Sequence, residues 1–205
     1  MDQISFIFTI LFMLLGPIKL IPSFAGVTRG ADAAFKRSVA IRGVVIAAAL
    51  CLFVALVGGA LLGKYRISIN AVRIAGGLVL LISALQVIFQ RGPAVKPASG
   101  TIPAIQLAAS PVAVPNIVPP AGVAAILIMM MMAPQYPGMM QAVLICLAIV
   151  MLLDFLVMYF IDWVMKTPGL PLVLMVLGSV LVFVQACLAV QMVLVALKEL
   201  RVLQG

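Results

Sequence analysis

Long apolar runs alternate with short polar stretches along the whole chain, and this pattern predicts six membrane-spanning helices. Each run exceeds the roughly 20 residues that a helix needs to cross about 30 Å of hydrocarbon. The polar stretches between the runs are too short to form a separate domain. The predicted spans are Ile4–Val27, Val39–Leu62, Ile67–Phe89, Ala104–Met132, Gly138–Val164 and Leu170–Leu197.

The spans fall into two groups of three, separated by a stretch rich in proline, glycine and alanine. We predict a first three-span repeat at residues 1–90, a linker at 91–103 and a second repeat at 104–205. Weak internal similarity supports this division, because "ISALQVI" late in the third span resembles "CLAVQMV" late in the sixth. An odd number of spans in each half requires the second half to be inverted. The predicted fold is an all-α membrane protein of two inverted three-helix repeats.

Prolines interrupt the first span of each predicted repeat, in "LLGPIKLIPSF" and in "SPVAVPNIVPPAG". Each proline lacks an N–H and leaves the carbonyl four residues earlier without its helical partner. In hydrocarbon such a carbonyl persists only where protein, water or a ligand satisfies it. Paired interruptions at corresponding positions of two halves indicate a transporter's binding site, although prolines that merely kink their helices are the alternative. We predict that helices one and four are broken at Gly16–Pro22 and Pro115–Ala121, close together near mid-membrane.

Two charged residues are predicted to lie near the centres of their spans, Lys19 in the first and Asp154 in the fifth. A charge at that depth costs about 2.5–3.5 kcal/mol, so each side chain needs a partner or a cavity. We predict that they pair with each other. Alternatively, Lys19 reaches the interface, satisfies the freed carbonyls, replaces a coupling cation or binds an anionic substrate. The predicted substrate-binding set is Gly16, Pro17, Lys19, Pro22, Pro115, Asn116, Pro119, Pro120, Ala121 and Asp154.

Composition and charge agree with a multi-pass membrane protein. The chain is 66% hydrophobic and 9% charged, with a mean hydropathy of +1.35, which exceeds what a soluble domain of 205 residues uses. The net charge of +8 lies mostly between the apolar runs, so membrane topology accounts for it and no nucleic-acid partner is predicted. Lysine and arginine favour the first, third and fifth connections by six to four. This bias predicts that both termini are non-cytoplasmic.

The residue types needed for most catalytic and metal sites are missing. The chain has no histidine, and no serine has a plausible base beside it. Its three cysteines lie inside apolar runs without a CxxC spacing, and neither break contains one, so thiol-based electron conduction is rejected. We therefore expect no enzymatic activity, no cofactor and no metal.

Three stretches resemble motifs of the MarC family of bacterial six-span membrane proteins. "GPIKLIPSFAGVT" (16–28), "ISINAVRIAGG" (67–77) and "SPVAVPNIVPPAG" (110–122) are similar to its "DPIGNIPIFLSLT", "GIS..AFRIAGG" and "PLAIPLIAGPGAI". The resemblance covers essentially the whole chain. It implies a multi-pass protein of the bacterial inner membrane, surrounded by the lipid bilayer. The family includes sodium- or proton-coupled transporters of small neutral amino acids, so the resemblance implies transport. It does not extend the family's substrate or its coupling ion to this chain.

The chain departs from the family's pattern at the breaks themselves. Gly16 stands where the family has aspartate, Lys19 where it has glycine, and Pro119–Ala121 replaces "GPG". The breaks are kept and their polar chemistry has changed. The sequence favours a secondary transporter or exporter of a small polar solute, amino-acid-like by resemblance. The alternative is a transport-inactive membrane protein that acts as an assembly or regulatory partner, and a homo-oligomer is compatible with both.

Overall fold

The computed structural model describes residues 3–89, 103–167 and 169–200, and every secondary-structure element in these ranges is helical. Two π-helical stretches, Val54–Gly58 and Ala108–Ile117, and a 3₁₀ turn at Ala133–Gln135 connect some of the α-helices. The predicted linker lies almost wholly outside the described residues. The α-helices are α1 (Gln3–Leu15), α2 (Pro17–Val27), α3 (Ala33–Phe53), α4 (Gly59–Lys64), α5 (Ile69–Phe89), α6 (Ala104–Leu107), α7 (Pro120–Met132), α8 (Met139–Tyr159), α9 (Ile161–Lys166) and α10 (Leu170–Glu199).

Within the described ranges, five helical rods are long and apolar enough to cross a membrane. They match the first, second, third, fifth and sixth predicted spans, and they are Gln3–Val27, Ala33–Lys64, Ile69–Phe89, Met139–Tyr159 and Leu172–Glu199. The fourth predicted span is divided into two shorter apolar helices, Ala104–Val114 and Pro120–Gln135. The expected six full-length spans are therefore not confirmed, because extended backbone before α7 divides the fourth.

Helices of the first half pack against helices of the second half. Helices α1 and α2 lie against α8, and the Ala108–Ile117 stretch lies against α3. Helix α3 also packs against α8, and α5 packs against α10. The second helical rod of each half therefore covers the interrupted segment of the other half.

The α5–α10 pair is antiparallel and closely packed. Arg73, near the start of α5, forms an ion pair with Glu199 at the end of α10, at 2.6 Å. Between these ends, a Cβ atom built on Gly77 would lie 2.8 Å from the carbonyl oxygen of Ala189 and 2.8 Å from Cγ2 of Val193. Glycine is needed at position 77 because the backbone of α10 approaches so closely.

A second ion pair marks the opposite end of the helical bundle. Lys36, near the start of α3, pairs with Asp162 of α9 at 2.6 Å, and the neighbouring Arg37 lies 4.8 Å from the ring centroid of Tyr159. The rod from Ala33 to Lys64 separates this pair from the Arg73 end, and its 32 residues correspond to about 48 Å. Each ion pair joins one half of the chain to the other.

The close approach at Gly77 predicts a difference between two glycine substitutions. Gly77→Leu should lower the free energy of unfolding by about 1–3 kcal/mol, because the side chain would displace the α10 backbone. Gly59→Leu is the matched control, since a Cβ atom there meets no other atom within 4 Å. It should be neutral or stabilising by up to about 1 kcal/mol through better helix propensity. Thermal unfolding in detergent measures both, and equal effects would contradict the close packing of α5 on α10.

Candidate functional site

The first break consists of a single residue, Gly16, between α1 and α2. Its ψ of 169° is extended, and its N–H still donates to the carbonyl of Phe12 at 2.8 Å. A Cβ atom at this position would lie 2.1 Å from that carbonyl oxygen. Glycine is thus required by a close approach of the α1 backbone. The aspartate that the family pattern carries here would need a different local backbone.

Pro22 does not interrupt the helix, so the first break is narrower than the predicted Gly16–Pro22. Helix α2 runs without interruption from Pro17 to Val27, and Pro22 lies on its exposed side. A proline inside a helix removes one N–H donor and clashes with one carbonyl. In α2 this disturbance does not end the helix.

The second break is longer than the first and begins before the predicted Pro115–Ala121. Ser110 (φ −147°, ψ 125°) and Val114 (φ −130°, ψ 122°) are extended within otherwise helical backbone. Pro119 is extended immediately before α7, and Ala121 already belongs to that helix. The prediction is therefore confirmed in part, with non-helical residues distributed from 110 to 119.

Helices α2 and α7 begin with the same local structure. Each has a proline as its first residue, Pro17 and Pro120, preceded by an extended residue with φ of −69°, Gly16 and Pro119. Neither helix start has a side-chain cap. The first N–H groups of a helix have no partner within it and carry the positive end of its dipole. Each break therefore presents an uncapped helix N-terminus.

The two breaks are neighbours in the fold, as predicted. Helix α1 contacts α7, and α2 contacts the Ala108–Ile117 stretch. Leu15, the last residue before the first break, packs on Gly122 in the first turn of α7. A Cβ atom on Gly122 would lie 3.0 Å from Cδ1 of Leu15. Both residues are buried, so the two breaks meet inside the protein, and Pro17 is buried there as well, whereas Pro120 at the start of α7 is exposed.

Lys19 lies in the first turn of α2 and points towards α10. Its ammonium donates to Oε1 of Gln185 at 2.5 Å, and Gln185 is buried. Gln185 was not among the predicted site residues. Its only signal was an amide inside an otherwise apolar helix, and such a helix does not reveal which face is turned inward.

Asp154 lies in α8 and is fully buried, and neither carboxylate oxygen has a hydrogen-bond partner among the described residues. The predicted ion pair with Lys19 is therefore wrong, because the lysine donates to Gln185. Helix α8 lies against α1, α2, α3 and α7, and Cys51 of α3 is close enough to interact electrostatically with Asp154. An ionised carboxylate without partners costs several kcal/mol in such a place. The position therefore suits a protonated acid or a carboxylate with a bound cation.

Asn116 supplies a buried donor in the stretch that leads to α7. Its Nδ2 has no hydrogen-bond partner in the described part of the chain. The backbone of Pro115 belongs to the same stretch, and its side chain lies outside the described residues. Within the described ranges, no group of three or more His, Cys, Asp or Glu side chains could hold a metal ion. The breaks thus combine two helix N-termini, an amide donor and a nearby ammonium.

The apolar helical rods and the two interrupted segments define a multi-pass integral membrane protein. The family model described as "MarC family integral membrane protein" matches residues 1–201, and the chain belongs to that family. A stretch of 81 residues is 28% identical to a "UPF0056 membrane protein" of Archaeoglobus fulgidus. This stretch covers 40% of the present chain and 38% of that relative, so the chain spans well under half of the relative's length. No solved structure matches the chain.

The contact between Lys19 and Gln185 predicts a specific pattern in a double-mutant cycle. Lys19→Met and Gln185→Leu should each destabilise the protein by about 1–3 kcal/mol, because each leaves a buried polar group unpaired. The double variant should recover part of that loss. Thermal unfolding in nanodiscs measures the three variants against the unchanged protein.

Asp154→Asn provides the comparison for this cycle. Its effect should simply add to that of Lys19→Met, because residues without a shared contact show little coupling. Coupling between positions 19 and 154 larger than that between 19 and 185 would contradict the assigned contacts.

Proposed function

We propose that this protein is a secondary transporter or exporter of a small, polar, amino-acid-like solute, which it binds between the two broken helices. The observation that carries the proposal is the neighbouring pair of uncapped N-termini of α2 and α7. Unpaired backbone groups persist at membrane depth only where protein, water or a ligand satisfies them. Discontinuous helices that direct their N-termini at anionic substrate groups are a recurring feature of secondary transporters.

The chemistry at the breaks favours a carboxylate as the recognised group. The donors are the first N–H groups of α2, the N–H of Ala121 in α7 and the Nδ2 of Asn116, since Pro120 has no N–H and Gly122 already donates to the carbonyl of Pro119 at 2.9 Å. A carboxylate is an acceptor with about four lone-pair sites. The ammonium of Lys19 adds positive charge in the first turn of α2, and Gln185 accepts one of its three N–H donors. Lys19 thus provides a fixed cation beside the proposed carboxylate position.

Asp154 is the proposed coupling group. It is the only buried acidic side chain among the described residues, and its helix lies against both interrupted segments. A carboxyl group in that place is most stable when it holds a proton, because burial without a partner penalises the charged form. Opening of the site to water would allow that proton to exchange, which would couple solute movement to a proton gradient.

The packing supports two inverted repeats that move relative to each other. The α3 rod covers the second break and α8 covers the first, which is the reciprocal arrangement that a two-fold relation produces. The third rods of the two halves, α5 and α10, run antiparallel, as inversion requires. Rocking of one repeat against the other about the closely packed α5–α10 pair would expose the central site to the two membrane sides in turn.

We further propose a bacterial inner-membrane location with both termini on the non-cytoplasmic side. The exposed basic residues Arg29, Arg37 and Lys166 lie at the Lys36–Asp162 end of the bundle, in the first and fifth connections. The positive-inside rule assigns this end to the cytoplasm. Reporter fusions at the two termini should both give the non-cytoplasmic signal, and a cytoplasmic signal from either fusion would reject this orientation.

Transport by the purified protein in liposomes tests the proposed function directly. Small neutral amino acids and small organic anions should be screened for uptake and efflux, with and without proton and sodium gradients. Asn116→Ala should raise the half-saturating solute concentration by about 10- to 100-fold, the effect of losing one hydrogen bond to a charged group. Gln106→Ala is the matched control, since Gln106 is exposed on α6 and should leave transport unchanged.

Two results would contradict the proposal. Equal effects of the two substitutions would exclude Asn116 from the solute site. Solute flux no higher than in empty liposomes, under every gradient, would instead favour the transport-inactive assembly or regulatory partner.

A further inference from the structure

Helix α10 has an inward face and an outward face, and each carries a glutamine. Gln185 faces the interior together with Ala189 and Ala196, and its amide accepts from Lys19. Gln191 lies on the other side, exposed, and no hydrogen bond joins it to another of the described residues. The large side chains around it on that side are apolar and exposed, and they include Phe183, Val190 and Leu194.

The depth of Gln191 makes its exposure costly. It lies about two helical turns below Glu199, a distance of about 12 Å along α10. The Arg73–Glu199 ion pair marks that end of the bundle, with relative exposure of 49% for the glutamate side chain. A glutamine side chain is too short to reach the lipid headgroups from that depth. Hydrocarbon offers its amide no hydrogen-bond partner, so the group gains from one on another helix.

We propose that the outward face of α10 binds a second copy of this chain, with Gln191 hydrogen-bonded to Gln191 of that copy across a two-fold axis. A primary amide is both donor and acceptor, so two identical amides can satisfy each other. Two-fold symmetry brings the same residue of both copies to the same membrane depth. Lipid lacks hydrogen-bonding groups at this depth. An identical chain related by the two-fold axis has an amide at the same depth, which can act as the partner.

The surface beside Gln191 has a shape that accepts a neighbouring helix. A shallow groove between α5 and α10 is lined by Leu81, Ala186, Cys187, Val190 and Gln191. Ala186 and Cys187 are small, and small residues allow transmembrane helices to approach closely. Phe183, Cys187 and Gln191 follow each other at intervals of four, so they form one stripe along the helix. This stripe is separate from the face that holds Gln185, so the dimer does not depend on the proposed transport function.

Cys187 provides a probe within the native chain. It is the exposed cysteine, whereas Cys51 and Cys146 are buried. Membranes containing the full chain should be treated with copper–phenanthroline as the oxidant and analysed without reductant. A cross-linked product of two 21.6 kDa chains is expected, joined through Cys187 of each copy as identified by mass spectrometry, and it should be lost in Cys187→Ser. Failure to form this product, or cross-linking of Cys187 to a different protein only, would overturn the proposal.

Substitution of the amide tests the hydrogen bond separately from the proximity of the helices. Gln191→Leu should weaken dimerisation by about 3- to 20-fold, the range measured for interhelical hydrogen bonds in membranes, as followed by energy transfer between labelled chains diluted into liposomes. Gln141→Leu is the matched control, because Gln141 is exposed in the first turn of α8, near the membrane surface, and should leave dimerisation unchanged. Undiminished association of the Gln191→Leu chain, or an equal loss in the Gln141→Leu chain, would overturn the assignment of Gln191.

Discussion

Backbone groups that lose their helical partners inside a bilayer must be satisfied or covered, and the packing of this protein follows from that constraint. The two interruptions lie together, and a long rod from the opposite half covers each one. The covering is tight on the second break, where a Cβ atom on Gly43 of α3 would lie 2.8 Å from Cγ1 of Val112. On the first span, the thiol of Cys146 in α8 donates to the carbonyl of Ile4 at 3.8 Å. The two halves are therefore mutually dependent, because each covers the broken segment of the other.

The described buried polar side chains divide into those with a hydrogen-bond partner and those without one. Thr28 has a partner, because its hydroxyl donates to the carbonyl of Phe24 at 2.7 Å. Lys19 and Gln185 form a hydrogen bond with each other, and this bond joins α2 to α10. Asn116 and Asp154 keep a donor and two acceptor oxygens unpaired in the described part of the chain. Natural proteins pair most of their buried polar atoms, so unpaired ones indicate a ligand, a proton or water. Both lie on segments that border the breaks, which is why the proposed solute site and the proposed coupling group are assigned there.

Local features of the sequence predicted the spans and the interruptions. The contacts between helices that are distant in the sequence could not be predicted from it. Hydropathy located five of the rods, since apolar length alone decides whether a helix can cross a membrane. The prolines located both breaks, although Pro22 was wrongly included because a single exposed proline does not end α2. The partner of Lys19 lies 166 residues away on a helix that is apolar on nearly all sides. Without an amphipathic pattern, the rotation of α8 and α10 could not be derived, so Asp154 was assigned to the wrong contact and Gln185 was missed.

The α5–α10 pair has the properties of a rigid part of the molecule. Its two backbones approach at Gly77 too closely for a side chain, and the Arg73–Glu199 ion pair holds one end. Helix α2 is joined to the inward face of this pair by the hydrogen bond of Lys19. Helix α8 covers α1, and α3 covers the second break. Any movement that opens the breaks must therefore occur between α2 and its neighbours α1 and α8, or break the Lys19–Gln185 hydrogen bond. A charged donor leaves a buried acceptor only when another acceptor replaces it. The carboxylate of the proposed solute, at the N-terminus of α2, would therefore compete with Gln185 for Lys19.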